Sequence, residues 1–264
     1  MPEPKNNKYR LLILGGTGEA TMLATALTRL YPVEIDLIVS LAGRTEEPSA
    51  VPGRTRIGGF GGVQGMIDYL RDEDVDAVVD ATHPFAASIS ANARRACEVL
   101  DIPRMMLIRP DWVPQANDQW IEAADMAAAA ILPVLGRRVF MTIGRQNLSM
   151  FSEVRGVHFV VRLLEEPKEP LPLADYSVVV ERPPFTVEHE CKILSGHGIN
   201  VIVSKSSGGK AGASKLIAAR LLSLPVLMIS RPRRETGVQR MTILAAVKWV
   251  KRLVEAHTGV SLLD

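Results

Sequence analysis

Short, wholly apolar runs alternate along this chain with stretches in which apolar residues recur every three or four positions. Leu11-Leu12-Ile13-Leu14 stops at two glycines, as a strand buried on both faces does. Ala20, Leu23, Ala24 and Leu27 follow at i, i+3, i+4 and i+7, one face of a helix. Val33–Val39 predicts a second strand, so the first segment reads as a βαβ crossover. The same alternation predicts strands at Arg54–Ile57, Ala77–Asp80 and Met105–Ile108, with helices at Val63–Arg71 and Ala86–Leu100. Regular alternation of this kind implies a parallel, doubly wound sheet.

The pattern breaks at Arg109-Pro110-Asp111-Trp112-Val113-Pro114, and Gln115 to Gln119 is polar. A domain boundary is expected here, dividing the chain into 1–110 and 111–264, with Trp112 and Trp120 read as apolar plugs between the two. The second series predicts strands at Arg138–Thr142, His158–Val161, Ser177–Val180, Val201–Ser204 and Val226–Ile229. Helices are predicted at Val187–Leu194, Ala213–Leu222 and Ile243–Ala256. The expected fold class is therefore α/β, with two Rossmann-like, doubly wound parallel-sheet domains facing a cleft.

Composition narrows the function classes. With 264 residues, 47% apolar and 23% charged, the chain has enough material for two cores. A net charge of +2 argues against a general nucleic-acid surface. Cys97 and Cys191 are far apart and form no CxxC pair, so they read as reduced core thiols and no metal is expected. The first residues lack an apolar targeting core, and no apolar run reaches membrane-spanning length. A cytoplasmic enzyme without a membrane partner is expected.

Candidate chemistry begins at Gly15-Gly16-Thr17-Gly18-Glu19-Ala20, between the first strand and its helix. Unpaired backbone N–H groups at a helix N-terminus favour a pyrophosphate, and glycines allow close approach. Thr21 stands where the last glycine of GxGxxG would fall. After the second strand come Ser40, Arg44 and Thr45, with no carboxylate before Glu46. An acidic residue there would hold the ribose hydroxyls of NAD; a serine and an arginine suit the 2′-phosphate of NADPH. The alternative for Arg44 is a solvated loop cation. Gly59, in the glycine loop after strand three, and Thr82-His83, after strand four, are expected on the same sheet edge. His83 is then either a group beside the nicotinamide and substrate or a structural histidine.

In the second half, cations cluster just past the expected strand ends: Arg145, Arg162, Arg182, Lys205, Lys210, Arg231, Arg233 and Arg234. Such a rim suits an anionic substrate, because arginine forks match carboxylates. Ser206-Ser207-Gly208-Gly209-Lys210 reads as a second anion site at a helix N-terminus. It lacks the Walker A spacing, which argues against ATP chemistry. No tyrosine has a lysine four residues on, and HExxH and GxSxG are absent. What remains is a nicotinamide reductase, of this or another polyanion, or a non-catalytic NADP(H)-sensing module.

Taken together, Leu11–Ala20, Ser40–Thr45, Gly58–Gly62, Asp80–Ala86, Glu181–Glu190, Val201–Gly209, Lys215–Arg220 and Pro225–Pro232 resemble the precorrin-6A reductase family of cobalamin biosynthesis, its cobalt-precorrin branch included. The resemblance implies reduction by NADPH of one double bond of the tetrapyrrole precorrin-6A, between ring carbons 18 and 19, giving precorrin-6B. It implies that Gly16, Thr17, Gly18, Ser40, Arg44 and Thr45 hold NADPH and that Thr82 and His83 lie by the nicotinamide. Lys205, Ser206, Ser207, Gly208, Gly209 and Arg231 would face the substrate; the reading of the cationic rim adds Arg145 and Lys210 as substrate-binding residues. At Ser206-Ser207 the chain departs from the family pattern, in which an acidic or amide residue is expected before Ser-Gly-Gly.

Overall fold

The computed structural model describes residues 8–43, 50–131, 136–259 and 261–262. Arg44 and Thr45 lie outside the described residues. The chain divides into two compact units, one of Met1–Arg109 with Arg233–Asp264 and one of Pro110–Pro232.

In the first unit, β1 (Tyr9–Leu14) leads into α1 (Gly18–Leu30), followed by β2 (Ile35–Leu41), β3 (Arg54–Ile57) and α2 (Gly62–Asp72). Then come β4 (Ala77–Asp80), α3 (Ala87–Leu100) and β5 (Arg104–Leu107). The second unit contains β6 (Trp120–Ala123), α4 (Met126–Ile131), β7 (Arg138–Met141), a 3-10 turn at Arg145–Phe151, β8 (His158–Leu163) and β9 (Tyr176–Val180). It continues through α5 (Val187–Gly196), β10 (Val201–Lys205), α6 (Ser214–Leu221) and β11 (Val226–Ile229). The chain then adds β12 (Val238–Arg240) and α7 (Ile243–Thr258).

Each unit is built on a six-stranded sheet, with orders β12-β5-β4-β1-β2-β3 and β6-β11-β10-β7-β8-β9. Every strand pairing is parallel. In the first sheet the winding reverses between β1 and β4, and in the second between β7 and β10. At such switch points the loops leaving the carboxyl ends diverge and open a crevice.

The expected domain 111–264 is corrected at its end. Residues from Arg233 onward belong to the first unit, where β12 pairs with β5. Ala246, Val247, Val250 and Val254 of α7 join one apolar cluster with Leu11, Ile13, Leu23 and Leu27. The helical period of α7 announces a buried face but not which sheet buries it. Two strands escaped the pattern: β6, which carries Glu122, and β12, three largely exposed residues. Trp120 lies in β6, within the second unit's own sheet. The second strand begins at Ile35 because residues 32–34 form a turn that leaves Val33 exposed.

Local chemistry accounts for the helix starts. Thr17, Thr186 and Thr242 cap α1, α5 and α7, their side-chain oxygens accepting from the N–H groups of Ala20, His189 and Ala245. Leu23 and Leu27 of α1 are fully buried, and each contributes about 1.5–3 kcal/mol of apolar transfer. The loops at the carboxyl ends of the first unit's strands are thus anchored on a buried strand-and-helix frame.

Candidate active site

At the first switch point, Gly15 N–H donates to Ser40 O at 2.9 Å, drawing the glycine turn against the end of β2. A Cβ on Gly15 would press on Val39 Cγ1 at 3.1 Å. Gly16 has φ +89°, in the left-handed region, and the space beside its Cα is open, as it is at Gly18. The turn therefore offers backbone N–H groups and the positive end of α1 to a ligand lying across it. Thr17 is spent on structure. Its hydroxyl accepts from Ala20 N–H at 3.1 Å and donates to Ala81 O at 2.7 Å. Glu19, in the first turn of α1, pairs with Arg109 at 2.6 Å, which offsets its negative charge beside the glycine turn.

Beside this turn, Leu14 stands in register with both Ser40 and Asp80, and Ser40 with Arg56. Asp80 is buried, and its Oδ1 accepts from Thr82 N–H at 3.2 Å and from the Thr82 hydroxyl at 2.7 Å. Arg104 Nη1 lies 4.0 Å from Asp80 Oδ2. The Thr82 hydroxyl is thus oriented by a fixed carboxylate. His83 Nδ1 accepts from Phe85 N–H at 3.2 Å, so the neutral ring carries its proton on Nε2. Gly59 is exposed, and its carbonyl accepts from Arg56 Nη2 at 2.8 Å. Sequence reasoning missed Arg56. It has no motif signal, and only the β2–β3 register brings it to Ser40.

In the second unit, the parallel sheet brings the segments after β7, β10 and β11 to one edge. Arg145, at the start of the 3-10 turn, and Lys210 are exposed and have no carboxylate partner among the described residues. Lys205 ends β10, and the Lys205 carbonyl accepts from Ser207 N–H at 2.7 Å. Ser206 N–H donates to Ile229 O at 2.9 Å. Gly208, with φ +65°, is an obligatory glycine, because a Cβ there would collide with Arg231 and the Pro110 carbonyl. Gly209 N–H donates to Pro110 O at 3.1 Å, and its carbonyl accepts from Trp112 Nε1 at 2.7 Å. Trp112 therefore braces this turn inside the second unit. Lys215 Nζ sits 3.2 Å from Gly212 O and 5.3 Å from the Trp112 ring, and burial pulls its ammonium down to about 8.

Three expectations for the cationic rim need correction. Arg231 is largely buried; it pairs with Asp111 at 2.5 Å and donates to Ser206 O at 2.6 Å, so it holds the turn together. Arg162 lies within β8 and is clamped by Glu190 and Glu181, and Arg182 pairs with Glu165 at 2.7 Å. Net charge along a sequence does not reveal which carboxylates fold back onto which cations. The turn at Gly208-Gly209 is also separated from α6 by residues 210–213, and α6 starts without a side-chain cap. The helix N-terminus expected directly after Gly208-Gly209 is therefore not formed there. Among the described residues no group of His, Cys, Asp and Glu is arranged to hold a metal, and no helix is long and apolar enough to cross a membrane.

Comparison with known proteins covers nearly the whole chain. The family model described as "Precorrin-6x reductase CbiJ/CobK" matches residues 10–251. A precorrin-6A reductase of Rhodococcus erythropolis is 44% identical over 246 residues, covering 92% of this chain and 98% of that one. A precorrin-6A reductase of Rhodobacter capsulatus is 47% identical over 224 residues, covering 84% and 88%. A solved structure titled "CobK precorrin-6A reductase" superposes with a TM-score of 0.87 at 44% identity, covering 92% of this chain and 96% of that one.

Proposed function

The chain belongs to the precorrin-6x reductase family, and from that premise we propose that it reduces precorrin-6A to precorrin-6B in cobalamin biosynthesis, with NADPH as hydride donor. The observation that carries the cofactor reading is the open glycine turn at the first switch point. Its backbone N–H groups, the α1 dipole and the space beside Gly16 and Gly18 fit a pyrophosphate. NADPH supplies a hydride from C4 of its nicotinamide.

Around that hydride the residues bind, orient and move a proton. Reducing one double bond takes a hydride at one atom and a proton at its neighbour. Thr82, fixed by Asp80, and His83, protonated on Nε2 when neutral, are the groups proposed beside the nicotinamide. His83 Nε2–H is the proposed proton source, with water as its alternative. Lys205, Ser206, Ser207, Lys210 and Arg145 are proposed to hold the acidic side chains of the macrocycle, with Gly208, Gly209 and Arg231 shaping their turn. Positioning the two partners is the main catalytic contribution of such a site.

Anaerobic mixing of the protein with NADPH and precorrin-6A tests this reading, with the nicotinamide band and the macrocycle spectrum followed together. Stoichiometric loss of both bands is expected. NADPH oxidation only with another polyanion, or binding without oxidation, would overturn it. His83→Ala is expected to lower kcat about 10²- to 10⁴-fold, the range of a lost general acid. Arg145→Gln is expected to raise KM for the tetrapyrrole and leave kcat unchanged. Full turnover by the His83 variant would return the proton to water.

A further inference from the structure

Arg56 is a cation of the first unit that the glycine turn and the sequence motifs leave unexplained. It lies in β3, away from the glycine turn in sequence, and directly in register with Ser40 at the carboxyl end of β2. Its Nη1 donates to Gly58 O at 2.5 Å and reaches Ser40 Oγ at 3.4 Å, and its Nη2 donates to Gly59 O at 2.8 Å. The guanidinium lies 3.8 Å from the Phe60 ring centroid and 4.9 Å from that of Tyr69. Two aromatic rings and two carbonyls therefore set the plane of the fork. No carboxylate pairs with it among the described residues, unlike Arg10, Arg54 and Arg109 of the same unit. Nε–H and one Nη2–H are left over, on a side chain that is only partly buried.

Position gives those donors a use. Leu14, Ser40 and Arg56 form a row across the carboxyl ends of β1, β2 and β3. Adjacent strands are about 4.8 Å apart, so Arg56 stands about 10 Å along the edge from the strand that feeds the glycine turn. In a dinucleotide fold the adenosine ribose lies over the end of the second strand. No carboxylate occupies that end in β2; the residue there is Ser40.

We propose that Arg56, hydrogen-bonded to Ser40 and stacked on Phe60 and Tyr69, is the cation that recognises the 2′-phosphate of NADPH. This rests on the reading that the first unit binds the dinucleotide, and it shifts the specificity contact from Arg44, the expected residue, to a residue of β3. A pre-oriented fork loses little side-chain freedom on binding and matches a phosphate with paired N–H donors. The glycine loop, Gly58 to Gly62, serves as the holder of that fork.

Binding to the full-length protein, without substrate, provides the test. NADPH, NADH, 2′,5′-ADP and 5′-AMP are titrated against the wild type, Arg56→Gln, Arg56→Lys and Arg44→Gln, with thermal melting as a fold check. Wild type is expected to prefer NADPH to NADH and 2′,5′-ADP to 5′-AMP. Arg56→Gln is expected to weaken NADPH and 2′,5′-ADP about 10- to 100-fold, as the loss of charge-assisted bonds predicts, with NADH and 5′-AMP changed less than about twofold. Arg56→Lys should keep part of the preference, since it retains the charge without the fork. Equal weakening of NADPH and NADH would make Arg56 a brace of the loop and overturn the proposal. So would loss of the preference in Arg44→Gln but not in Arg56→Gln, or a wild type that binds both nucleotides alike. Failure of the wild type to bind any of the four would instead sink the dinucleotide reading beneath it.

Discussion

Glu190 is 1% exposed and meets the 8%-exposed Arg162 in a two-pronged pair, Nη1 to Oε1 at 2.9 Å and Nη2 to Oε2 at 2.8 Å. The guanidinium lies between Phe140 and Phe185, at 4.8 and 4.1 Å from their centroids, and Glu181 closes its third side. The motif Glu181–Glu190 thus works as a clamp on β8, with no ligand required to account for its acidic residues. Removing one partner leaves a buried charge, so Glu190→Ala is expected to cost about 3–5 kcal/mol in urea unfolding. The paired replacement Arg162→Met with Glu190→Leu should recover most of that loss. At Cys97, 3% exposed, burial pushes the thiol up to about 12. Iodoacetamide at about pH 8, close to the usual thiol range, should label the partly exposed Cys191 first and reach Cys97 only on unfolding. Mass spectrometry of labelled peptides reads the order. Residue type and spacing made the strand–turn–helix around Gly16 legible in the sequence, whereas the capping duty of Thr17 came only with the fold. The partners of Arg162, Arg231 and Arg56 were not legible either, since each is set by which strands lie side by side.

Elements show the same division. β1, α1, β4 and α3 were legible because each is long or apolar enough to display a period. β6 and β12 are short edge strands whose alternation is lost among polar residues, so only their pairing with β11 and β5 defines them. α7 was visible as a helix, but its destination was not. It fills the first unit's core through Ala246, Val247, Val250 and Val254, beside β1 and α1. A chain ending at Pro232 would expose that face. At about 1.5 kcal/mol or more for each buried valine, its first unit should lose about 5 kcal/mol, comparable with a whole domain's stability. Such a chain is expected to lose NADPH binding and to show only the second unit's cooperative melting transition. Retention of full NADPH affinity would contradict the assignment of α7 to the first core.

Across the whole molecule, a net charge of +2 conceals a separation of paired and unpaired cations. Arg162, Arg182 and Arg231 are neutralised by carboxylates, whereas Arg145 and Lys210 are exposed without such partners among the described residues. Attraction of a polyanionic substrate should therefore depend on a few solvated charges, which salt screens. Raising ionic strength from about 0.05 to 0.5 M is expected to increase KM for the tetrapyrrole several-fold with little change in kcat. Arg145→Gln with Lys210→Gln should flatten that dependence in steady-state kinetics. By itself the sequence determined the α/β class, the parallel winding, the glycine turn and the family, because periodicity and local motifs act over a few residues at a time. Only the tertiary structure decided that residues 233–264 complete the first unit, that three of the six rim arginines, Arg162, Arg182 and Arg231, are braced by carboxylates, and that Arg56 stands beside Ser40. Periodicity states that a face is buried without naming what buries it, and a charge finds its partner through topology.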